Sequence, residues 1–335
     1  MVGWQGFEPW TNGLKGRCST AELPTHPGYR RLRKRRGKDN LTWPKVQEVL
    51  CFLLLFLAEM RFFRGKVLLK TGTNVMGHQE SYQHNEAYAE FLSGWDIHFY
   101  SKYIDTLAAG ASSRPGTPVE AGRILDVGCG VGQVVLKLKE RGFSAHGVDV
   151  SESNIARASR HSPECVVYDG HHLPFEDGFF DAAGALNVLE HVEEPEEFLR
   201  ELVRVVRPGG RLVVSSPNFL RVLGFRDYHP RMRGIGNKFR NWQSLCQLRR
   251  QIRRDPDSVR FERMPPIVKE PFTPDDDAIV VTNPLLIRFF LERYGCRVGS
   301  VVCTDRYVNP LAEFCLNATP LRYVMFNGFV TATKL

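Results

Sequence analysis

The chain has 335 residues, 24% charged and 43% hydrophobic, with 29 Gly and 20 Pro, a composition that excludes collagen, coiled coil and wholesale disorder and fits one or two domains. Its formal charge of +8 is unevenly placed: residues 1–75 hold 14 basic and 5 acidic side chains, residues 76–335 hold 31 and 32. The basic excess therefore belongs to the first quarter, and the nearly neutral remainder makes nucleic acid an unlikely partner. Eight scattered cysteines, with no CxxC pair and no Cys/His cluster at metal-ligand spacing, argue against a disulfide framework or structural zinc and set a reducing, cytoplasmic compartment as the default.

Residues 1–40 show no period of 2 or 3.6 and end in the run RRLRKRRGK, so no buried face can be drawn through them. The apolar run Val49 to Ala58 has about half the length a bilayer span needs, and Glu59, Arg61 and Arg64 close it. The stretch GFEPWTNGLKGRCSTAELPTHP resembles a transfer-RNA gene translated as protein, so residues 1–75 are expected to be an unstructured, spurious extension with the start at Met76. The rival reading is a nucleic-acid-binding or membrane-attaching arm. Residues 76–122 read as one or two amphipathic helices, with Tyr88, Phe91, Trp95, Phe99 and Tyr103 at helical spacing, and a linker from Ala108 to Gly122.

From 123 the chain alternates. Strand Arg123 to Val127 is followed by a helix near Gln133 to Arg141, strand Ser144 to Val148, a helix from Ser153, and strand Cys165 to Tyr168. Strand Asp181 to Leu186, helix Pro195 to Val206, a turn at Pro208-Gly209-Gly210 and strand Arg211 to Ser215 continue it. Strands separated by helices predict an α/β fold, a doubly wound sheet with right-handed crossovers. After the fifth strand the rhythm breaks for an insertion, Pro217 to Val281, with 12 Lys/Arg against 4 acidic residues up to Arg263 and a Pro-rich acidic stretch ending in DDD. A helix from Asn283 to Tyr294, with Thr282 as N-cap, and strands Arg297 to Cys303 and Tyr323 to Thr333 complete a seven-stranded sheet.

The segment ILDVGCGVG, Ile124 to Gly132, is an apolar strand entering three glycines just before a helix, which lets a ligand approach bare backbone and a helix N-terminus. By itself it could be a dinucleotide fingerprint. The spacing is GxGxG without a third glycine three residues on, however, and Asp126 precedes the turn. A carboxylate there repels a pyrophosphate and suits a ligand carrying an ammonium group, such as S-adenosylmethionine (SAM). With HGVDVSESNI, YDGHHLPFEDGFFD, LNVLEHVEEPEEFLRELVRVVRPGGRLVVSSPN and the closing strand pair following in order, the chain resembles the class I SAM-dependent methyltransferases, in particular the small-molecule group that includes the quinone-biosynthesis enzymes. The likeness is specific over residues 124–218, weaker over 282–334, and absent elsewhere.

That resemblance implies a Rossmann-like methyltransferase domain over residues 123–335 with SAM as cofactor. Gly128, Gly130 and the backbone at Cys129 would cradle the methionine part, with Asp126 facing its ammonium through backbone or water. Asp149 would accept hydrogen bonds from both ribose hydroxyls, Asp169 and the backbone of Gly170 would meet the adenine amino group, and Asn187 would lie beside the methionine moiety. An inert Cys129 is expected, because the turn admits only small side chains. His191 is the candidate general base, its rival being a hydrogen-bonded helix-start histidine. Acidic residues near it bind a divalent metal in the resembling quinone-type enzymes, but Asn187 stands where a Glu is needed, so no metal is expected.

The expected activity is methyl transfer to a small-molecule, lipid-linked or glycan acceptor, at oxygen. The alternatives are a catalytically silent SAM-fold scaffold subunit and a nucleotide-cofactor oxidoreductase. The basic insertion reads as a lid over an anionic acceptor, with nucleic acid, peripheral contact to an acidic lipid surface and a solvated helical arm as competing readings.

Overall fold

The computed structural model describes residues 92–94, 96–112, 122–224, 227, 229–267 and 275–335, all within the compact unit Phe63–Leu335. The expected unstructured extension, residues 1–75, lies outside them, as do Tyr88, Phe91, Trp95 and most of the linker. Phe99 falls in a 3-10 turn, Ile97–Tyr100, that runs into helix α1, Ser101–Ala111.

Strand β1, Arg123–Val127, lies in the interior of the sheet. Helix α2, Gln133–Glu140, leads to β2, Ser144–Asp149, and helix α3, Glu152–Ala158, leads to β3, Cys165–Val167. Strand β4, Phe180–Leu186, and helix α4, Pro195–Val205, precede β5, Val206–Pro217. These five strands are parallel, in the order β3-β2-β1-β4-β5. Strands β1 and β4 are almost wholly buried, as a parallel sheet covered on both faces requires, and apart from Arg123, Asp126 and Asp181 their residues are apolar or Gly for that reason. The Pro208-Gly209-Gly210 segment does not end in a separate turn. It is an irregularity inside β5, where Phe180 pairs with Val206 but Ala182 pairs with Arg211, and Gly209 adopts φ +76°.

Within the insertion, helix α5, Ile235–Arg254, is followed by a short antiparallel ribbon of β6, Glu262–Arg263, and β7, Val280–Val281. Helix α6, Pro284–Arg293, is capped by Asn283, whose side chain accepts from the amides of Leu285 and Leu286. Thr282, the expected cap, instead donates its hydroxyl to the carbonyl of Pro217 at 2.7 Å. Strand β8, Cys296–Val302, helix α7, Pro310–Asn317, and β9, Asn327–Lys334, close the fold. Both β5 and β8 pair antiparallel with β9. Residues Pro320–Tyr323 form a 3-10 turn, so the last strand starts four residues later than its alternating pattern suggests.

Side-chain alternation along the strands divides the core in two. Ile124, Val213 and Phe329 pack with Tyr103, Leu107, Val135 and Ile155 of α1, α2 and α3 on one face. Leu125, Val127 and Val214 pack with Phe198, Leu202 and Ile287 of α4 and α6 on the other. Among the described residues no helix is long and apolar enough to cross a membrane.

Candidate functional site

The carboxyl ends of β1 and β2 bring the glycine turn and two aspartates to one edge of the sheet. Gly128 and Gly130 adopt φ +73° and +53°, a left-handed backbone that costs a side-chain-bearing residue energy. A Cβ on Gly128 would lie 2.3 Å from the Val188 side chain. The turn is held from inside: the amides of Gly128 and Cys129 both donate to the carbonyl of Val148, at 2.7 and 3.0 Å, and that of Gly130 donates to Asp149 Oδ2 at 2.9 Å. Three N–H groups that a phosphate would need are therefore already bonded within the protein. Cys129 is buried, and contact with Cys165 together with burial pushes its thiol well above the usual range, as expected of an inert turn residue.

Asp126 is buried between two glycines, paired with Gly147 on β2 and Gly184 on β4. Gly184 leaves space for Tyr103 of α1, whose hydroxyl donates to Asp126 Oδ1 at 2.8 Å; a Cβ on Gly184 would sit 2.6 Å from that hydroxyl. Burial raises the Asp126 carboxyl to about 7, with the Asp149 charge adding to the rise and the Tyr103 hydrogen bond opposing it. Tyr100, beside the same carboxylate, is pushed up to about 12 by burial and by that charge. The two tyrosines were not singled out for this role by sequence, because only the docking of α1 brings them there.

Asp149 accepts from the amide of Ser151 at 2.9 Å and from the Asn154 side chain at 3.3 Å on Oδ1, besides Gly130 on Oδ2. Burial raises its pKa and these three donors oppose the rise. A carboxylate offers about four lone-pair positions, and these three donors leave one, on Oδ2, open to a further donor. Asp169 is exposed; its Oδ1 accepts from the amides of His171 and His172, each at 2.8 Å, and Gly170 between them adopts φ +83°. Partial burial works against those hydrogen bonds, which nevertheless hold the Asp169 carboxyl below its usual range.

Asn187 ends β4 in a left-handed conformation, φ +54°, with its amide donating to the Ser215 carbonyl at 2.8 Å. Its side-chain Oδ1 is buried and accepts no hydrogen bond among the described residues. The left-handed turn at the strand end leaves this acceptor open to a partner from outside the described residues.

Beyond Asn187, a 3-10 turn, Leu189–His191, carries Glu190 and His191. Glu190 is fully buried; its Oε2 accepts from the Ser216 hydroxyl at 2.8 Å, and burial with the neighbouring charge of Asp275 pushes its pKa well above the usual carboxylate range. The acidic end of the insertion docks on this turn: Ile279 N–H donates to the Glu190 carbonyl at 2.9 Å, and Arg263 donates to the carbonyls of Val192 and Glu193. His191 thereby stands between two carboxyl groups, Nδ1 3.7 Å from Asp277 Oδ1 and Nε2 3.9 Å from Glu190 Oε1. One ligand atom each from Glu190, His191 and Asp275 lie within 4.8 Å of one another, a spacing that would admit a cation and that acidic clusters also adopt without one. Thus it is the acidic end of the insertion, rather than its basic helix, that meets the candidate base.

Residues 125–214 match the methyltransferase domain family. A ubiquinone biosynthesis O-methyltransferase of Caulobacter sp. (strain K31) is 37% identical over 109 residues, 30% of this chain and 43% of that protein. A 2-methyl-6-phytyl-1,4-hydroquinone methyltransferase of Synechocystis sp. is 38% identical over 110 residues, 31% and 33% of the two chains. A norajmaline N-methyltransferase of Rauvolfia serpentina is 32% identical over 102 residues, 28% and 35%. The chain thus spans less than half the length of these relatives. Among solved structures, a SAM-dependent methyltransferase from Aquifex aeolicus is similar over 75% of this chain and 99% of that one, with a TM-score of 0.44 and 15% identity.

Proposed function

From the premise that residues 125–214 form a class I SAM-dependent methyltransferase domain of Rossmann-like fold, with SAM as its cofactor, we propose that the protein methylates a hydroxyl of a quinone-like small molecule. The observation that carries the reading is the chemistry of the site: the carboxylates of Asp126, Asp149 and Asp169 and the orphaned Asn187 Oδ1 are all acceptors. SAM presents donors to match them, an ammonium, ribose hydroxyls and an exocyclic amine, and no phosphate. Asp126 and Asn187 serve the ammonium end, the free lone pair of Asp149 takes a ribose hydroxyl, and Asp169 with Gly170 takes the adenine amine. Gly128, Cys129 and Gly130 supply a bare backbone wall beside the methionine part. When bound, SAM supplies a methyl group already activated by its sulfonium, so the protein's task is chiefly to orient the acceptor and exclude water.

His191 takes the proton released by the acceptor hydroxyl, and Asp277 stabilises the imidazolium so formed. The similarity to O-methyltransferases supports oxygen as the acceptor atom; that to an N-methyltransferase supports nitrogen as a second possibility. The test is incubation of the purified protein with methyl-labelled SAM and a panel of catechols, hydroquinones and secondary amines. Labelled methyl ether confirms the reading, labelled tertiary amine moves the acceptor to nitrogen, and SAM binding without turnover on any acceptor returns the chain to a silent scaffold.

A further inference from the structure

Outside the cofactor site, helix α5 has the most one-sided chemistry of the described surface. Its twenty residues, IGNKFRNWQSLCQLRRQIRR, include one lysine and five arginines and no acid. One side anchors it: Leu245 and Leu248 are buried, and the Asn241 amide donates to the carbonyls of Phe219 and Arg221, both at 3.1 Å. The other side is unusual for a solvated arm. Ile235, Phe239 and Trp242 are 42, 48 and 44% exposed, and their spacing of four and three residues sets them within roughly 60° of one another on the helix. Arg240, Arg250, Arg253 and Arg254 share the exposed surface and make no ion pair among the described residues. Lys238 and Arg249 are occupied, by Asp227 at 2.8 Å and by the Tyr323 ring at 6.0 Å.

We propose that α5 docks flat on an anionic lipid surface. Ile235, Phe239 and Trp242 enter the boundary between headgroups and acyl chains, and the four uncompensated arginines sit at the level of the phosphates. A solvated helix balances its charges and keeps large apolar groups scattered, whereas here they are contiguous and bordered by arginine. Nucleic acid complements the charge equally well, but it offers bases for the aromatic rings and nothing for Ile235 between them. This surface is independent of the proposed methyl transfer: Glu190 and His191 meet the other end of the insertion.

The test uses the full chain with vesicles of phosphatidylcholine alone and of equimolar phosphatidylcholine and phosphatidylserine. The protein is expected to cosediment with the second and not the first, and to lose binding as salt is raised. Because residues 1–75 are also basic, the site is read from Trp242: brominated lipid should quench a portion of the fluorescence that Trp242→Phe removes while binding persists. Replacing Arg250, Arg253 and Arg254 together by Gln should weaken binding more than tenfold, since each surface arginine is worth about fivefold. Phe239→Ser with Trp242→Ser should weaken it similarly at an unchanged melting temperature. Vesicle binding that both sets of substitutions leave intact, with no quenching assignable to Trp242, overturns the proposal. So does absence of vesicle binding with capture of an RNA oligonucleotide that the arginine substitutions abolish, or self-association that Phe239→Ser with Trp242→Ser dissolves.

Discussion

At the residue scale, the two aspartates at the strand ends are charged groups placed where charge is expensive, and each yields a measurement. Asp149 spends three lone pairs on the turn and on α3, and its remaining one is the hydroxyl acceptor. Asp149→Ala should weaken SAM binding by about 1.5–3 kcal/mol, the loss of a charge-assisted hydrogen bond, as read by calorimetric titration; unchanged affinity removes the ribose assignment. Asp126 is raised to about 7 by burial, so near neutrality it passes from carboxyl to the carboxylate that an ammonium prefers. SAM affinity should therefore rise from pH 6 to pH 8, by at most about tenfold per pH unit, and Asp126→Asn should flatten the profile. Tyr103 opposes the rise, so Tyr103→Phe should move the midpoint to higher pH. Stability of the ligand-free protein runs the opposite way. A folded pKa above the unfolded one stabilises fully below the unfolded value and is lost as pH rises through the folded one. The melting temperature should thus fall between pH 6 and pH 8, and fall less in Asp126→Asn.

At the element scale, parts of the fold that depend on neighbours in sequence were legible and parts that depend on docking were not. Asp126 and the glycine turn are local, a strand, a tight turn and a helix start within a few residues of one another, and Asp149 joins them through the pairing of β1 with β2 that the strand–helix–strand order predicts. The Asn283 cap was also legible in principle, since Pro284 at the first helical position marks the residue before it as the cap, and Thr282 only resembled one. Tyr103 and Asp277 were not legible, because one arrives with α1 and the other across an insertion of about 65 residues. Two experiments test these long-range contacts. Gly184→Ala places a methyl 2.6 Å from the Tyr103 hydroxyl and should destabilise the protein by about 1–3 kcal/mol through overpacking, measured by chemical denaturation. His191→Ala should lower kcat by about 10²–10⁴ while SAM affinity holds, and Asp277→Asn should lower it less. A chelator should leave the rate unchanged; a rate abolished by chelator and restored by a divalent cation would give Glu190, His191 and Asp275 to a metal instead.

At the scale of the whole molecule, charge and core are separated along the chain. Residues 1–75 carry 14 basic and 5 acidic side chains, whereas the seven strands of the main sheet run between Arg123 and Lys334, and among the described residues the helices packed on them include Ser101–Ala111 and those that follow it. Among the described residues, the buried members of both apolar clusters run from Tyr103 onward, with Ile97 and Tyr100 packed against one of them. A sheet closed on both faces by its own helices has its main hydrophobic contribution in place without help from the first quarter of the chain. A chain begun at Met76 should therefore unfold in a single cooperative transition and bind SAM with the affinity of the full chain. Its melting temperature should lie within about 3 °C of the full chain's, the displacement that roughly 1 kcal/mol produces in a domain of this size. Scanning calorimetry and titration read both quantities. A larger fall in melting temperature with SAM affinity intact would mean that the extension packs on the body away from the site; loss of both would mean that it helps to build the cofactor site.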